Sequence, residues 1–242
     1  MTQREPDWQV YERIVAAMQA EGAGMEHSVT PNAKIRGCIT GILRQIDVLV
    51  DARWADEDLT ERVIVDAKMH RSKVDVKDIE AFEGMMKDCR ANRGIIVCAN
   101  GYTPAAKRRA QDAITITLLP AENIEEFPWS QFDRCMGSCS ADNRIPHRGL
   151  VLWDGQLLLG MGSGWAIVWS GKCDRCYNFH AWCWDCGEKF ALADEDEHEC
   201  GCGRRWVTAI EEEPDGSEVL DAVHFFLASD DQVFAIDRRR CR

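Results

Sequence analysis

The sequence predicts an α/β domain with helices flanking a mixed sheet, followed by a smaller β-rich domain that contains most of the cysteines. Three observations support this fold class. Val- and Ile-rich runs at 45–50 and 63–68 indicate buried strands. Apolar side chains recur at helical spacing over residues 8–20 and 74–86. Six of the twelve cysteines lie between Cys173 and Cys202.

The composition is that of a globular protein. A chain of 242 residues with 45% hydrophobic content can form one large domain or two modest ones. It contains no run of eighteen apolar residues and no hydrophobic secretory signal, so we expect a cytoplasmic protein without a membrane partner. In that compartment, clustered cysteines indicate metal ligands rather than disulfides. The isolated Cys38, Cys89 and Cys98 are predicted to be small core residues.

The charge is unevenly distributed. The net charge of −12 argues at first against a nucleic-acid partner, because binding to nucleic acid depends on Lys and Arg. Residues 62–109, however, contain eleven Lys or Arg against six Asp or Glu, whereas residues 131–242 contain twelve against twenty. The first segment therefore suits DNA, and the acidic second part favours a protein partner.

The two predicted strands each contain a carboxylate. Asp66 and Lys68 lie two residues apart in a strand, so they point to the same side. If the two strands pair, Asp47 reaches the same place. Two carboxylates suit Mg²⁺ or Mn²⁺, and a lysine beside them can orient a water or stabilise charge on a phosphate. The alternative is an ordinary ion pair between Asp66 and Lys68.

The pattern around these residues resembles the PD-(D/E)xK nucleases, and among them the Mrr-like restriction endonucleases. The resemblance covers roughly residues 8–128. The matching segments are Tyr11-Glu12, Arg44-Gln45-Ile46-Asp47, Val65-Asp66-Ala67-Lys68, the helix at 74–86 and the strand-turn-helix at 94–106. In such proteins Glu is more frequent at the position of Asp66, and here Ile46 rather than proline precedes Asp47.

The resemblance implies a restriction-endonuclease-like α/β fold whose strands hold a metal site, and hydrolysis of phosphodiester bonds in DNA. It implies that Asp47 and Asp66 bind the metal, that Lys68 is catalytic, and that Glu12 touches the metal or its waters. Gln45 shares a strand face with Asp47 and is a candidate contact for the substrate or the attacking water. The alternatives are a solvated helix glutamate for Glu12 and a hydrogen bond to a neighbouring strand for Gln45.

Basic residues flank this site and are candidates for contacts to the phosphate backbone. Ordinary surface charge is the alternative. Consecutive charges on a helix point in different directions, so at most two of residues 107–109 face one duplex. The candidate nucleic-acid-binding residues are His70, Arg71, Lys73, Lys77, Lys107 and Arg108.

The cysteine spacing over about 173–206 indicates a zinc-ribbon-like module. One Zn²⁺ is assigned to Cys183, Cys186, Cys200 and Cys202. Cys173 and Cys176 remain. They either bind a second Zn²⁺ with His180 or His198 as further ligands, or share an ion with one of the later cysteine pairs, so the zinc count is one or two. Cys135 and Cys139 are spaced for metal, but no second pair lies near them in sequence, which favours two free thiols. All-thiolate sites are closed, so the predicted zinc role is structural.

The sequence thus predicts two domains, a nuclease domain over 1–129 and a β-rich zinc-binding domain over 130–242. Residues 25–43 are expected to form a loop or weak strand, and a hairpin is expected around Asp154-Gly155. The predicted function is a metal-dependent DNA endonuclease, in restriction or defence against foreign DNA. The alternatives are a non-catalytic zinc-stabilised module that binds nucleic acid or protein, and a nuclease for RNA or branched DNA. A homodimer is compatible with either function.

Overall fold

The computed structural model describes residues 7–24, 27–52, 61–110, 113–141, 148–161, 164–193, 196–212, 219–227 and 232–239. It confirms the predicted fold class, because a mixed sheet with flanking helices is followed by β-rich structure containing the cysteine clusters. In these ranges, no helix combines the length and apolar character needed to cross a bilayer.

The first sheet has five strands in the order in which they occur in the chain. Its strands are β1 (His27–Arg36), β2 (Leu43–Ala52), β3 (Arg62–Lys68), β4 (Arg93–Cys98) and β5 (Ile114–Leu118). The first three strands pair antiparallel, and β3, β4 and β5 pair parallel. Helices α2 (Val76–Asp88) and α3 (Pro104–Ala110) make the connections that parallel pairing requires.

Helices cover both faces of this sheet. Helix α1 (Asp7–Gly22) buries Tyr11 and Val15 against Val48 and Val65. Helices α2 and α3 cover the opposite face, where Phe82 and its neighbours pack on the other set of strand residues. The two hydrophobic clusters fix β2 and β3, the strands that contain the candidate site, between two helical layers.

Of the two structures predicted for residues 25–43, a loop or a weak strand, the strand is found over most of the segment, and β1 is a regular strand of ten residues. Pro31 lies within it and pairs in register with Val48. Proline cannot donate a backbone hydrogen bond, but an edge strand tolerates this because one side of it has no partner strand. The position of β1 at the edge of the sheet explains the difference.

The β-rich part contains two four-stranded antiparallel sheets. One is formed by β6 (Val151–Met161), β7 (Gly164–Cys173), β8 (Phe179–Cys183) and β9 (Lys189–Leu192); the other by β10 (Glu197–Glu199), β11 (Arg205–Glu212), β12 (Val219–Leu227) and β13 (Gln232–Arg239). Two short helices, α4 (Asn123–Glu126) and α5 (Ser138–Ala141), precede them. The hairpin expected at Asp154-Gly155 is instead a bulge within β6, where the register with β7 shifts.

Buried ion pairs join the β-rich part to the first sheet. Lys172 Nζ lies 2.7 Å from Asp154 Oδ2 and 3.0 Å from Ser28 Oγ, and the Val29 amide donates to the same Asp154 oxygen at 2.6 Å. On α1, Arg13 Nε donates to Asp174 Oδ2 at 2.7 Å, with both side chains almost fully buried. The start of the β-rich part is therefore fixed against the edge strand and the first helix.

Candidate active site and cysteine clusters

Strands β2 and β3 bring the predicted carboxylates together. Val48 pairs with Val65, so the next position of the antiparallel ladder places Asp47 beside Asp66. Asp47 Oδ2 accepts a hydrogen bond from the Ala67 amide at 2.8 Å, and Lys68 Nζ lies 2.9 Å from Asp66 Oδ2. Three of the predicted catalytic residues therefore share one end of this strand pair.

Glu12 adds a third carboxyl group from helix α1. Burial raises the pKa of Glu12 to about 7, with further contributions from the negative charges of Asp47 and Asp66. Burial likewise raises the pKa of Asp47 to about 6, although the hydrogen bond from the Ala67 amide works in the opposite direction. Partly buried carboxylates that repel one another, as these three do, form a good site for a divalent cation, because the cation compensates their negative charge.

An open cleft leads to this site. One side is lined by Glu12, Gln45 and Asp47, and Gln45 is exposed at its rim. The other side is formed by residues 174–177 of the β-rich part, including Arg175 and Tyr177. Sequence reasoning missed these two residues. They lie more than a hundred positions after the catalytic strands, and only their place beside the paired cysteines gives a sequence signal.

The predicted DNA-contacting residues lie on two exposed segments. His70, Arg71 and Lys73 follow β3 directly after Lys68, and the side-chain Nδ2 of Asn100 donates to the His70 carbonyl. Lys77 is exposed in the first turn of α2, and Lys107 and Arg108 are exposed on α3. By contrast, the neighbouring Arg109 is engaged in ion pairs with Glu83 and Glu80.

The eight cysteines of the β-rich part that lie in the described residues form two groups of four. In each group the sulfur atoms all lie within 4.8 Å of one another, and the groups are Cys135, Cys139, Cys173 and Cys176, and Cys183, Cys186, Cys200 and Cys202. Within the groups, neighbouring sulfur atoms lie 3.3 to 3.7 Å apart. A tetrahedral ion with Zn–S bonds of about 2.3 Å places its sulfurs roughly 3.8 Å apart. Both groups fit zinc and support a zinc module.

The second group matches the predicted ligand set, whereas the first differs from the expectation of free thiols at Cys135 and Cys139. His180, the suggested ligand, lies outside both groups. Its Nε2 accepts from the Met136 amide at 3.1 Å and its Nδ1 lies 3.0 Å from the Asn178 carbonyl, which corresponds to a neutral ring donating from Nδ1. Burial lowers the pKa of His180, in keeping with that neutral form.

His198 is also outside both groups. Its Nε2 lies 2.9 Å from Glu188 Oε1, and its ring stacks on Phe190. Glu188 also accepts a hydrogen bond from the Gly201 amide at 2.7 Å. His198 therefore holds the hairpin that presents Cys200 and Cys202, without contacting the metal position itself.

Comparison with known proteins addresses the first half of the chain. A family model described as restriction endonuclease, the Mrr catalytic domain, matches residues 5–127. No curated protein matches the chain. A crystal structure of a protein of unknown function, AF1548, shares 16% identity at a TM-score of 0.38, covering 52% of this chain and 68% of that one.

A second solved structure, the DNA modification-dependent restriction endonuclease AspBHI, shares 16% identity at a TM-score of 0.31. The match covers 47% of this chain and 29% of AspBHI, so this chain spans less than a third of that enzyme. The family match alone spans half of this chain, and it includes all five residues of the candidate site, from Glu12 to Lys68. The chain therefore belongs to the Mrr family of restriction endonucleases.

Proposed function

We propose that this protein is a divalent-metal-dependent endonuclease that hydrolyses phosphodiester bonds in DNA, in the restriction of foreign DNA. The observation that carries the proposal is the Asp66–Lys68 pair beside Asp47, which itself lines an open cleft. The division into a nuclease domain over 1–129 and a zinc-stabilised domain over 130–242 is part of this proposal.

Asp47 and Asp66 are the proposed ligands of Mg²⁺ or Mn²⁺, with Glu12 at the ion or its waters. Such an ion would polarise the phosphate and lower the pKa of a bound water. The Ala67 amide holds one oxygen of Asp47, which fixes the direction of the carboxylate. Asp66 holds the Lys68 ammonium group, which then orients the attacking water or stabilises charge developing on the phosphate. Gln45 is proposed to contact the water or the substrate from the rim.

DNA is the proposed partner, and the exposed basic residues near the site are proposed to contact its backbone. They include the segment from His70 to Lys77 and the pair Lys107 and Arg108. A protein partner for residues 130–242 also remains a proposal, favoured by the excess of acidic residues there. A homodimer would supply a second active site for the opposite DNA strand.

The test is cleavage of plasmid DNA, and of methylated and unmethylated linear DNA, by purified protein with Mg²⁺ or Mn²⁺. We expect cleavage that requires the added ion and falls by about a hundredfold or more in Lys68→Ala, since one stabilising group is removed from the transition state. The matched control is Lys87→Ala, which removes an exposed lysine from the last turn of α2.

Thermal melting of both variants shows whether folding is preserved. Full cleavage by a folded Lys68→Ala protein would contradict the catalytic assignment. Absence of cleavage by the wild-type protein, with zinc bound and every substrate tried, would favour the non-catalytic binding module. An RNA and a branched-DNA substrate in the same panel distinguish the remaining alternative.

A further inference from the structure

The far wall of the cleft comes from a turn that also provides zinc ligands. The segment Cys173–Tyr177, called here the knuckle, contains two of the four cysteines of the first cluster and places Arg175 and Tyr177 along the cleft. The amides of Arg175 and Cys176 both donate to Cys173 Sγ, at 3.3 and 3.4 Å. A metal ion at the cluster would therefore also fix the backbone from which these two side chains project.

Tyr177 has a left-handed backbone conformation, which glycine adopts at the equivalent positions of the second cysteine cluster. Its φ is +62°. The residues that directly follow Cys186 and Cys202 in the second cluster are Gly187 and Gly203, with φ of +76° and +81°. The turn after a ligating cysteine thus requires the left-handed region, where a bulky side chain is disfavoured. A tyrosine at such a position points to a role for the side chain itself.

A second left-handed residue faces Tyr177 across the cleft. Asn32 lies in β1 with a φ of +50°, between the positions that pair with Val48 and Ile46, and so beside Asp47. Its Nδ2 donates to the Tyr177 hydroxyl at 2.5 Å. In the ranges that the structure describes, its buried Oδ1 has no hydrogen-bond partner. Two residues with left-handed backbone conformations therefore meet at a side-chain contact in the cleft.

The knuckle is also fixed to the helix that contains Glu12. The neighbouring residue Arg13 pairs with Asp174, whose other oxygen accepts from the Leu150 amide at 2.8 Å. The Arg13 guanidinium also lies over the Trp129 ring and donates to the Arg148 carbonyl at 3.2 Å. These contacts fix Arg13 on the protein side of the cleft, and Arg175 is the cation that the knuckle itself contributes to the cleft wall.

We propose that the knuckle is a substrate-binding wall of the nuclease. Arg175 neutralises the charge of a phosphate next to the scissile phosphate. The Tyr177 ring packs against the nucleotide that joins these two phosphates. This inference rests on the proposed nuclease function, and it assigns the zinc module a direct share in holding DNA. Charge compensation at phosphate holds nucleic acid without regard to sequence, and an aromatic ring beside it adds apolar contact to the same nucleotide.

The experiment measures binding of a fluorescein-labelled duplex of about 20 base pairs by Lys68→Ala protein, in which cleavage is suppressed. Into this background we introduce Arg175→Ala, Tyr177→Gly and, as matched control, Arg205→Ala. Arg205 is exposed and pairs with Glu197 outside the cleft. Zinc content and melting temperature are measured for each variant. Glycine suits the left-handed turn, so we expect Tyr177→Gly to melt within about 3 °C of its parent.

We expect affinity to fall about tenfold in each knuckle variant, because each variant loses one contact to the DNA, either to a phosphate or to the adjoining nucleotide. Arg175→Ala should also lower the slope of log affinity against log salt concentration by about one, whereas Tyr177→Gly should not. Affinities equal to that of Arg205→Ala, or no duplex binding by the parent protein, would overturn the proposal. Wild-type protein that binds through the knuckle but cuts nothing would refute the nuclease function alone.

Discussion

The buried pair formed by Lys172 and Asp154 should be one of the most sensitive points of the molecule. Their side chains are 1% and 0% exposed, and the nitrogen and oxygen lie 2.7 Å apart. Replacing Lys172 by Met keeps the volume but leaves a carboxylate buried without its ammonium partner. Breaking a buried pair in this way costs about 3–5 kcal/mol. That is a large part of the roughly 5–15 kcal/mol that stabilises a typical domain.

The assay is urea unfolding of the wild type, Lys172→Met, Asp154→Asn and the double variant. The double variant should lose less than the sum of the two single changes, by at least about 1 kcal/mol, because the pair interacts directly. The matched control is the exposed pair of Arg205 and Glu197, where Arg205→Met should cost less than about 1 kcal/mol. Additive losses within about 0.5 kcal/mol, or equal losses for the buried and exposed pairs, would refute the reasoning.

Three further predictions concern single side chains. Glu12→Gln should stabilise the Mg²⁺-free protein by about 1 kcal/mol at pH 8 but not at pH 4. The pKa of Glu12 is raised to about 7 in the folded protein, so the folded protein loses stability as pH rises from the ordinary pKa of glutamate towards 7, and the glutamine variant does not. Equal urea-unfolding curves for the two proteins at pH 8 would contradict this. Asp88→Asn should lower the melting temperature by roughly 5 °C at pH 7, because the Asp88 carboxylate accepts from Ile39, Thr40 and Arg44, which lowers its pKa. This stabilisation is lost as pH falls below about 4, so the difference in melting temperature between Asp88→Asn and the wild type should become smaller there. Cys139→Ser should reduce bound zinc from two ions to one by metal analysis, and an unchanged content would contradict the first cluster.

The catalytic strands could be predicted from the sequence because their signals are local. The alternation of side chains along β3 is enough to place Asp66 and Lys68 on one side, and their contact at 2.9 Å follows from it. The second cysteine cluster was also predictable, since its two pairs lie on turns that are close in sequence.

What the sequence did not reveal depends on contacts between distant segments. Cys135 and Cys139 meet Cys173 only because the chain runs through β6 and β7 before it returns to them. The regularity of strand β1 was underestimated because Pro31 is a local signal against a strand, whereas the edge position of β1 is a property of the whole sheet. The contact of Asn32 with Tyr177 joins residues 145 positions apart, and no local pattern encodes it.

The position of the knuckle in the chain has a consequence for synthesis. The proposed catalytic side chains are complete once the ribosome has passed Lys68, but the far wall of the cleft is translated about a hundred residues later. At about 5–20 residues per second, the interval is on the order of ten seconds. During that time the nascent chain has its carboxylates but only half of its cleft. If the knuckle holds DNA as proposed, a nascent or truncated chain is a weak nuclease, and the host chromosome meets a competent enzyme only after zinc has been acquired.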